Sequence, residues 1–151
     1  MARIASTLTQ RAEIVPQQSH ETTYASDSQQ SGYILFLDDN HFLLQTTTDA
    51  LETKGYRVRT AETADEALRI IRELQPALIL CDIMLPDGMD GYEFRKELLK
   101  DADLSMIPFV FVSAFGGREV QRLSKLLGAS SHLTKPFDVY TFFETIEKAI
   151  N

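Results

Sequence analysis

The sequence predicts a doubly wound α/β sandwich, a parallel sheet of five strands in the order 2-1-3-4-5 covered by five helices. Three observations point to it. Short apolar runs alternate with stretches of helical periodicity from Tyr33 onward, and runs apolar on both faces suit strands sandwiched between helices. Helix stops and turns separate them: Gly55, Pro76, Gly116-Gly117 and Gly128. Finally, Asp38-Asp39, Asp82, Ser113 and Lys135 each stand at the end of an apolar run, and open parallel sheets bind their ligands at the carboxyl ends of the strands. Right-handed crossovers then set the winding, and of the two common strand orders 2-1-3-4-5 suits five strands.

Each element has its own justification. Tyr33–Leu37 is the first strand. Leu44, Thr47 and Leu51 are spaced as one helix face, which stops at Gly55. Tyr56–Thr60 alternates as a second strand, and Thr63-Ala-Asp-Glu66 has the form of a capping box. The helix it opens carries Ala67, Leu68, Ile71 and Leu74 on one face and ends at Pro76. Ala77–Cys81 is the third strand, ending on Asp82. A loop with Pro86, Gly88 and Gly91 precedes a helix over Tyr92–Lys100. Pro108–Val112 is the fourth strand, ending on Ser113. The helix after Gly116-Gly117 reads as the least amphipathic, with Val120, Leu123, Leu126 and Leu127 as its apolar positions. A short strand over Ser131–Thr134 leads to Lys135-Pro136. The last helix is expected to bury Val139, Phe142, Phe143, Ile146 and Ile150.

Composition bounds the function. With 151 residues, 44% hydrophobic and 25% charged, the chain has the make-up of one ordinary globular domain. A net charge of -7 argues against a nucleic-acid partner, which needs a basic surface. No run approaches the ~18 apolar residues of a membrane span, and no secretory leader is evident. The single cysteine, Cys81, reads as a small core residue and suits a reducing cytoplasm, the expected location. Residues 1–32, rich in Ser, Thr and Gln, are expected to be a disordered polar tail, either merely tolerated or a docking segment.

If the strands are neighbours, three carboxylates, a hydroxyl and an ammonium meet at one point, an arrangement suited to a divalent cation and a phosphoryl group. Taken singly, each residue has a plainer reading. Asp38-Asp39 would serve as a loop and helix-cap pair, Asp82 as a turn aspartate, Ser113 as a core hydroxyl and Lys135 as a surface lysine. Four motifs in order outweigh those readings: Leu37-Asp38-Asp39, Asp82-Ile-Met-Leu-Pro86, Ser113-Ala114 and Lys135-Pro136-Phe137. With them the chain resembles the receiver domain of two-component response regulators, over residues 33–151, in its single-domain, chemotaxis-regulator-like form with a flavodoxin-like fold.

The resemblance implies a function. Asp82 would accept a phosphoryl group from a histidine kinase or histidine phosphotransfer protein. Mg²⁺ would be held by Asp39 and Asp82 directly, by Asp38 through water and by the backbone carbonyl of Met84. Lys135 would pair with one phosphoryl oxygen, and Ser113 would donate to another and act in the switch. The Lys135-Pro136 bond is expected to be cis. The chain would catalyse its own phosphorylation and dephosphorylation without being a turnover enzyme. Its output would pass to a downstream protein of unknown identity, or by relay to a phosphotransfer protein, since no output domain follows. A homodimer through the face of the fourth and fifth elements stays open. The alternatives are a phosphorylation-independent adaptor, a receiver fragment of a larger hybrid kinase, and an aspartate-dependent phosphatase, whose paired aspartates Asp82-Ile-Met does not supply.

Two departures from the family pattern stand out. The loop after Asp82 is one residue longer than usual, near Asp87-Gly88. The position three before the lysine, usually Tyr or Phe, is His132, either a plain strand residue or an altered, pH-sensitive switch. Apolar Met84 and Phe115 beside the site should exclude water and slow loss of the phosphoryl group, and small Ala114 should leave the donor access.

Overall fold

The computed structural model describes residues 32–151, so the tail expected over residues 1–32 lies, Gly32 apart, outside the described residues. Five strands alternate with five helices: β1 (Ile34–Leu37), α1 (His41–Thr53), β2 (Val58–Ala61), α2 (Ala64–Glu73), β3 (Leu78–Asp82), α3 (Gly91–Leu99), β4 (Phe109–Ser113), α4 (Arg118–Leu126), β5 (Ser131–Thr134) and α5 (Val139–Ile150). A 3₁₀ turn over Leu104–Met106 precedes β4. All strand pairs are parallel, and the order is β2-β1-β3-β4-β5, as the sequence predicts.

Strand alternation divides the core into two layers. Leu35, Leu37, Ile79, Cys81, Phe109 and Phe111 face α2, α3 and α4, where they meet Ala67, Ile71, Phe94 and Leu98. Ile34, Phe36, Leu78, Leu80, Val110, Val112 and Leu133 face α1 and α5, where they meet Leu44, Leu51, Phe142 and Ile146. The three inner strands are buried at every residue, which is why they read as unbroken apolar runs. The edge strands β2 and β5 bury one residue each, Ala61 and Leu133.

Helix ends follow local chemistry. Asn40, Thr63, Asp90 and Asp138 each accept a backbone N–H from the first turn of the helix they open. Glu66, at the capping-box position, reaches the Glu62 N–H instead of the cap's own. The cap at Asp90 is a complete box with Glu93.

The structure corrects several local expectations. Strand limits shift by one or two residues, and β2 begins at Val58, since the Tyr56 N–H still belongs to the turn out of α1 and donates to the Leu51 carbonyl. The stripe of α4 is Val120, Leu123, Ser124 and Leu127, and Leu126 faces solvent on the other side. The helix is therefore sharply two-faced rather than the least amphipathic. In α5, Phe142 and Ile146 are buried, whereas Val139 and Ile150 at its two ends are exposed. The exposed Leu74 caps α2 rather than packing in its face.

Candidate functional site

Strand parity explains how the charged residues meet. Asp38 continues the row Ile34, Phe36; Asp82 continues Leu78, Leu80; and Lys135 lies two residues beyond Leu133. All three extend the layer facing α1 and α5, and the register that pairs Leu37 with Cys81 brings Asp38 level with Asp82. The Lys135 Nζ donates to Asp38 Oδ2 at 2.6 Å and to Asp82 Oδ2 at 3.2 Å. One ammonium thus bridges two carboxylates, one of them, Asp38, fully buried. The other Asp38 oxygen accepts the Asn40 N–H at 2.9 Å, and Asp82 Oδ1 accepts the Met84 N–H at 3.3 Å.

The electrostatics follow from this crowding. Burial raises the Asp82 pKa above the usual carboxylate value and Asp38 adds to the rise, while Lys135 draws it back. Burial works against the Lys135 charge, but Asp38 and then Asp82 outweigh it, so its pKa ends above the ordinary lysine value. Asp39 is exposed at the mouth of the site. Each of Asp38, Asp39 and Asp82 offers a carboxylate oxygen, all within 4.8 Å of one another. Hard oxygen donors in excess of the available positive charge fit a small divalent cation such as Mg²⁺.

The structure does not join every expected residue to this cluster. Ser113 is buried on the opposite parity, in the row of Phe109 and Phe111, and its hydroxyl accepts the Phe115 N–H at 3.0 Å. Among the described residues that hydroxyl shares no hydrogen bond with the carboxylates or with the Lys135 ammonium. Position is nevertheless maintained by the backbone, since the Lys135 N–H donates to the Ser113 carbonyl at 2.8 Å. Met84 and Phe115 are exposed beside the site, and the Lys135-Pro136 bond is cis. His132 is half-buried; burial lowers its pKa, and a hydrogen bond with the Phe115 backbone opposes that fall. Its Nε2 is buried without a hydrogen-bond partner.

Two residues to which sequence reasoning gave no part in the site shape the surroundings. Gly91 closes the loop after Asp82: its N–H donates to the Ile83 carbonyl at 2.7 Å, and an added Cβ would collide with the Asp82 carbonyl oxygen. Asp87 and Gly88, near which the loop is expected to be longer than usual, both take positive φ, 48° and 87°. Arg95 in α3 is buried. Its signal was a charged residue between Phe94 and Leu98, on the flank of a buried stripe.

Residues 34–147 match the response regulator receiver domain. The chain belongs to that family. Among its relatives, the protein PilH of Pseudomonas aeruginosa is 32% identical over 117 residues, which cover 78% of this chain and 96% of PilH. The polar-differentiation response regulator DivK of Brucella ovis is 33% identical, over 76% of this chain and 92% of its own. The non-phosphorylated HemR receiver domain from Leptospira biflexa superposes with a TM-score of 0.73 at 30% identity, over 80% of this chain and 95% of its own. Receivers are signalling modules that act with histidine kinases and downstream proteins, not turnover enzymes, and they bind Mg²⁺ at an acidic pocket. In this receiver no helix among the described residues is long and apolar enough to cross a membrane.

Proposed function

We propose that this receiver accepts a phosphoryl group on Asp82 from a histidine kinase or histidine phosphotransfer protein, in a Mg²⁺-dependent reaction, and so switches a protein-binding face. The observation that carries the reading is the single ammonium of Lys135 shared by Asp38 and Asp82. Asp38, Asp39, Asp82 and the Met84 carbonyl would hold Mg²⁺, which when bound screens the approach of one anion to another.

The chain's own residues supply the rest. An Asp82 oxygen attacks phosphorus, the bond from phosphorus to the donor imidazole nitrogen breaks, and an acyl phosphate results. Lys135 then exchanges its carboxylate contact for a phosphoryl oxygen. Ser113 must give up the Phe115 N–H and turn its hydroxyl across the strand to donate to the phosphoryl group. That exchange frees the Phe115 backbone, which His132 also contacts, so β4, β5 and α4 shift as one face. Exposed Met84 and Phe115 favour a slow loss of the phosphoryl group. A cytoplasmic location goes with this reading.

Labelling with a small phosphodonor tests it. Stable, Mg²⁺-dependent incorporation that is absent in Asp82→Asn is expected. Incorporation that persists in that variant would overturn the assignment, and none in wild type would favour a phosphorylation-independent adaptor.

A further inference from the structure

Arg95 is 2% exposed, yet among the described residues none of its hydrogen-bond partners is a carboxylate, and its Nη1 is buried without one. A buried cation ordinarily needs a compensating partner. Here the compensation is the end of another helix: Nε donates to the Leu127 carbonyl at 2.9 Å and Nη2 to the Gly128 carbonyl at 3.3 Å. Backbone carbonyls at a helix C-terminus carry the negative end of its dipole, so the contact is charge-assisted. The guanidinium also lies 4.9 Å over the Phe109 ring, which holds it against the sheet.

The two ends of α4 differ sharply. At its C-terminus, the Gly128 N–H donates to the Lys125 carbonyl at 2.9 Å and the Ala129 N–H to the Ser124 carbonyl at 3.0 Å. With Gly128 at φ 73° this is a Schellman motif. Arg95 takes up the carbonyls just beyond it. At its N-terminus, Gly117 (φ 100°) is the cap residue and offers no side-chain bond, and Gly116 and Gly117 link it to the Ser113 loop. One end is fastened from outside; the other hangs on two glycines.

We infer that Arg95 is a positioning residue that pins the C-terminal end of α4 and the entry to β5 to the α3 layer, so that α4 moves from its N-terminal end, beside Ser113. The use of that motion in signalling rests on the proposed function. The pin does not, and its test needs no phosphodonor, so failure of one is distinguishable from failure of the other.

Hydrogen exchange on the full chain decides it. In wild type the amides of Leu127–Ala129 are expected to exchange more slowly than those of Gln121–Leu123. In Arg95→Met, exchange over Leu127–Ser131 should rise by about ten- to a hundredfold, the loss expected for hydrogen bonds to a charged donor. Amides of α1 and β1 should stay within about twofold, and Arg95→Lys, which keeps one charged donor, should fall between. An Arg95→Met change of equal size along the whole chain, or none in α4, would overturn the pin. Equal exchange at the two ends of α4 in wild type would overturn it without any variant, including the case in which Arg95→Met fails to fold.

Discussion

Replacing Lys135 by Met removes the cation that lets two carboxylates share the carboxyl end of the sheet. Asp38 is 0% exposed and sits 2.6 Å from the ammonium, and Asp82 lies 3.2 Å from it. Removing one partner of a buried ion pair costs about 3–5 kcal/mol, because the remaining charge is left without compensation. Two features lower that figure: the Lys135 side chain is 21% exposed, and Asp38 keeps its bond from the Asn40 N–H. A loss of about 2–3 kcal/mol is therefore expected, or a urea midpoint lower by about 1–2 M for a domain of this size. Two further signs follow. The Asp82 pKa, already raised by burial, should rise further without the lysine, so mild acid that protonates Asp82 should return part of the loss. Mg²⁺ should stabilise the variant more than wild type, since a divalent ion restores the missing charge. Urea melts at neutral pH and near pH 5, with and without Mg²⁺, measure all three. A midpoint within about 0.2 M of wild type at neutral pH without Mg²⁺ would refute the reasoning, for the ammonium would then not be what reconciles the two carboxylates.

Gly91→Ala should cost about 1–3 kcal/mol, because its Cβ would meet main-chain atoms of Asp82 and Ile83 that cannot withdraw without moving the end of β3; thermal melts read the stability, and an unchanged melting temperature would show that the loop yields freely. His132 has a folded pKa below its ordinary value, so its contribution to stability is present above the unfolded value, near 6.5, and lost as the pH falls through the lower folded value. Denaturation of wild type and His132→Tyr across pH 5 to 8 should show the tyrosine variant gaining on wild type toward acid. Parallel curves would mean that the imidazole does not titrate between the two states.

The inner strands were legible because burial on both faces leaves no polar positions to blur the run from Ile34 to Leu37, Leu78 to Cys81 or Phe109 to Val112. Helix ends were less so. Val139 and Ile150 have the right spacing for the α5 stripe, but spacing cannot show that the two ends of the helix are left uncovered. Leu126 was assigned inward on hydrophobicity, whereas the inward place in α4 goes to Ser124, whose hydroxyl bonds the Val120 carbonyl and so buries without penalty. Within the site, Asp38, Asp82 and Lys135 could be placed from the ends of the apolar runs. The engagement of Ser113 with Phe115 could not, since it depends on how the chain turns after β4. For Arg95 the sequence held a hint of burial but not of its partners, which are backbone carbonyls more than thirty residues away and carry no residue identity to read.

Cys81 has a further consequence. It is the sole thiol in the chain, it is fully enclosed beside Asp82 in the central strand, and burial holds it well above its ordinary pKa. A maleimide can reach that sulfur only when β3 comes away from its neighbours. The receiver therefore carries a built-in chemical clock, whose ticking rate counts the openings of the strand that bears the acceptor aspartate.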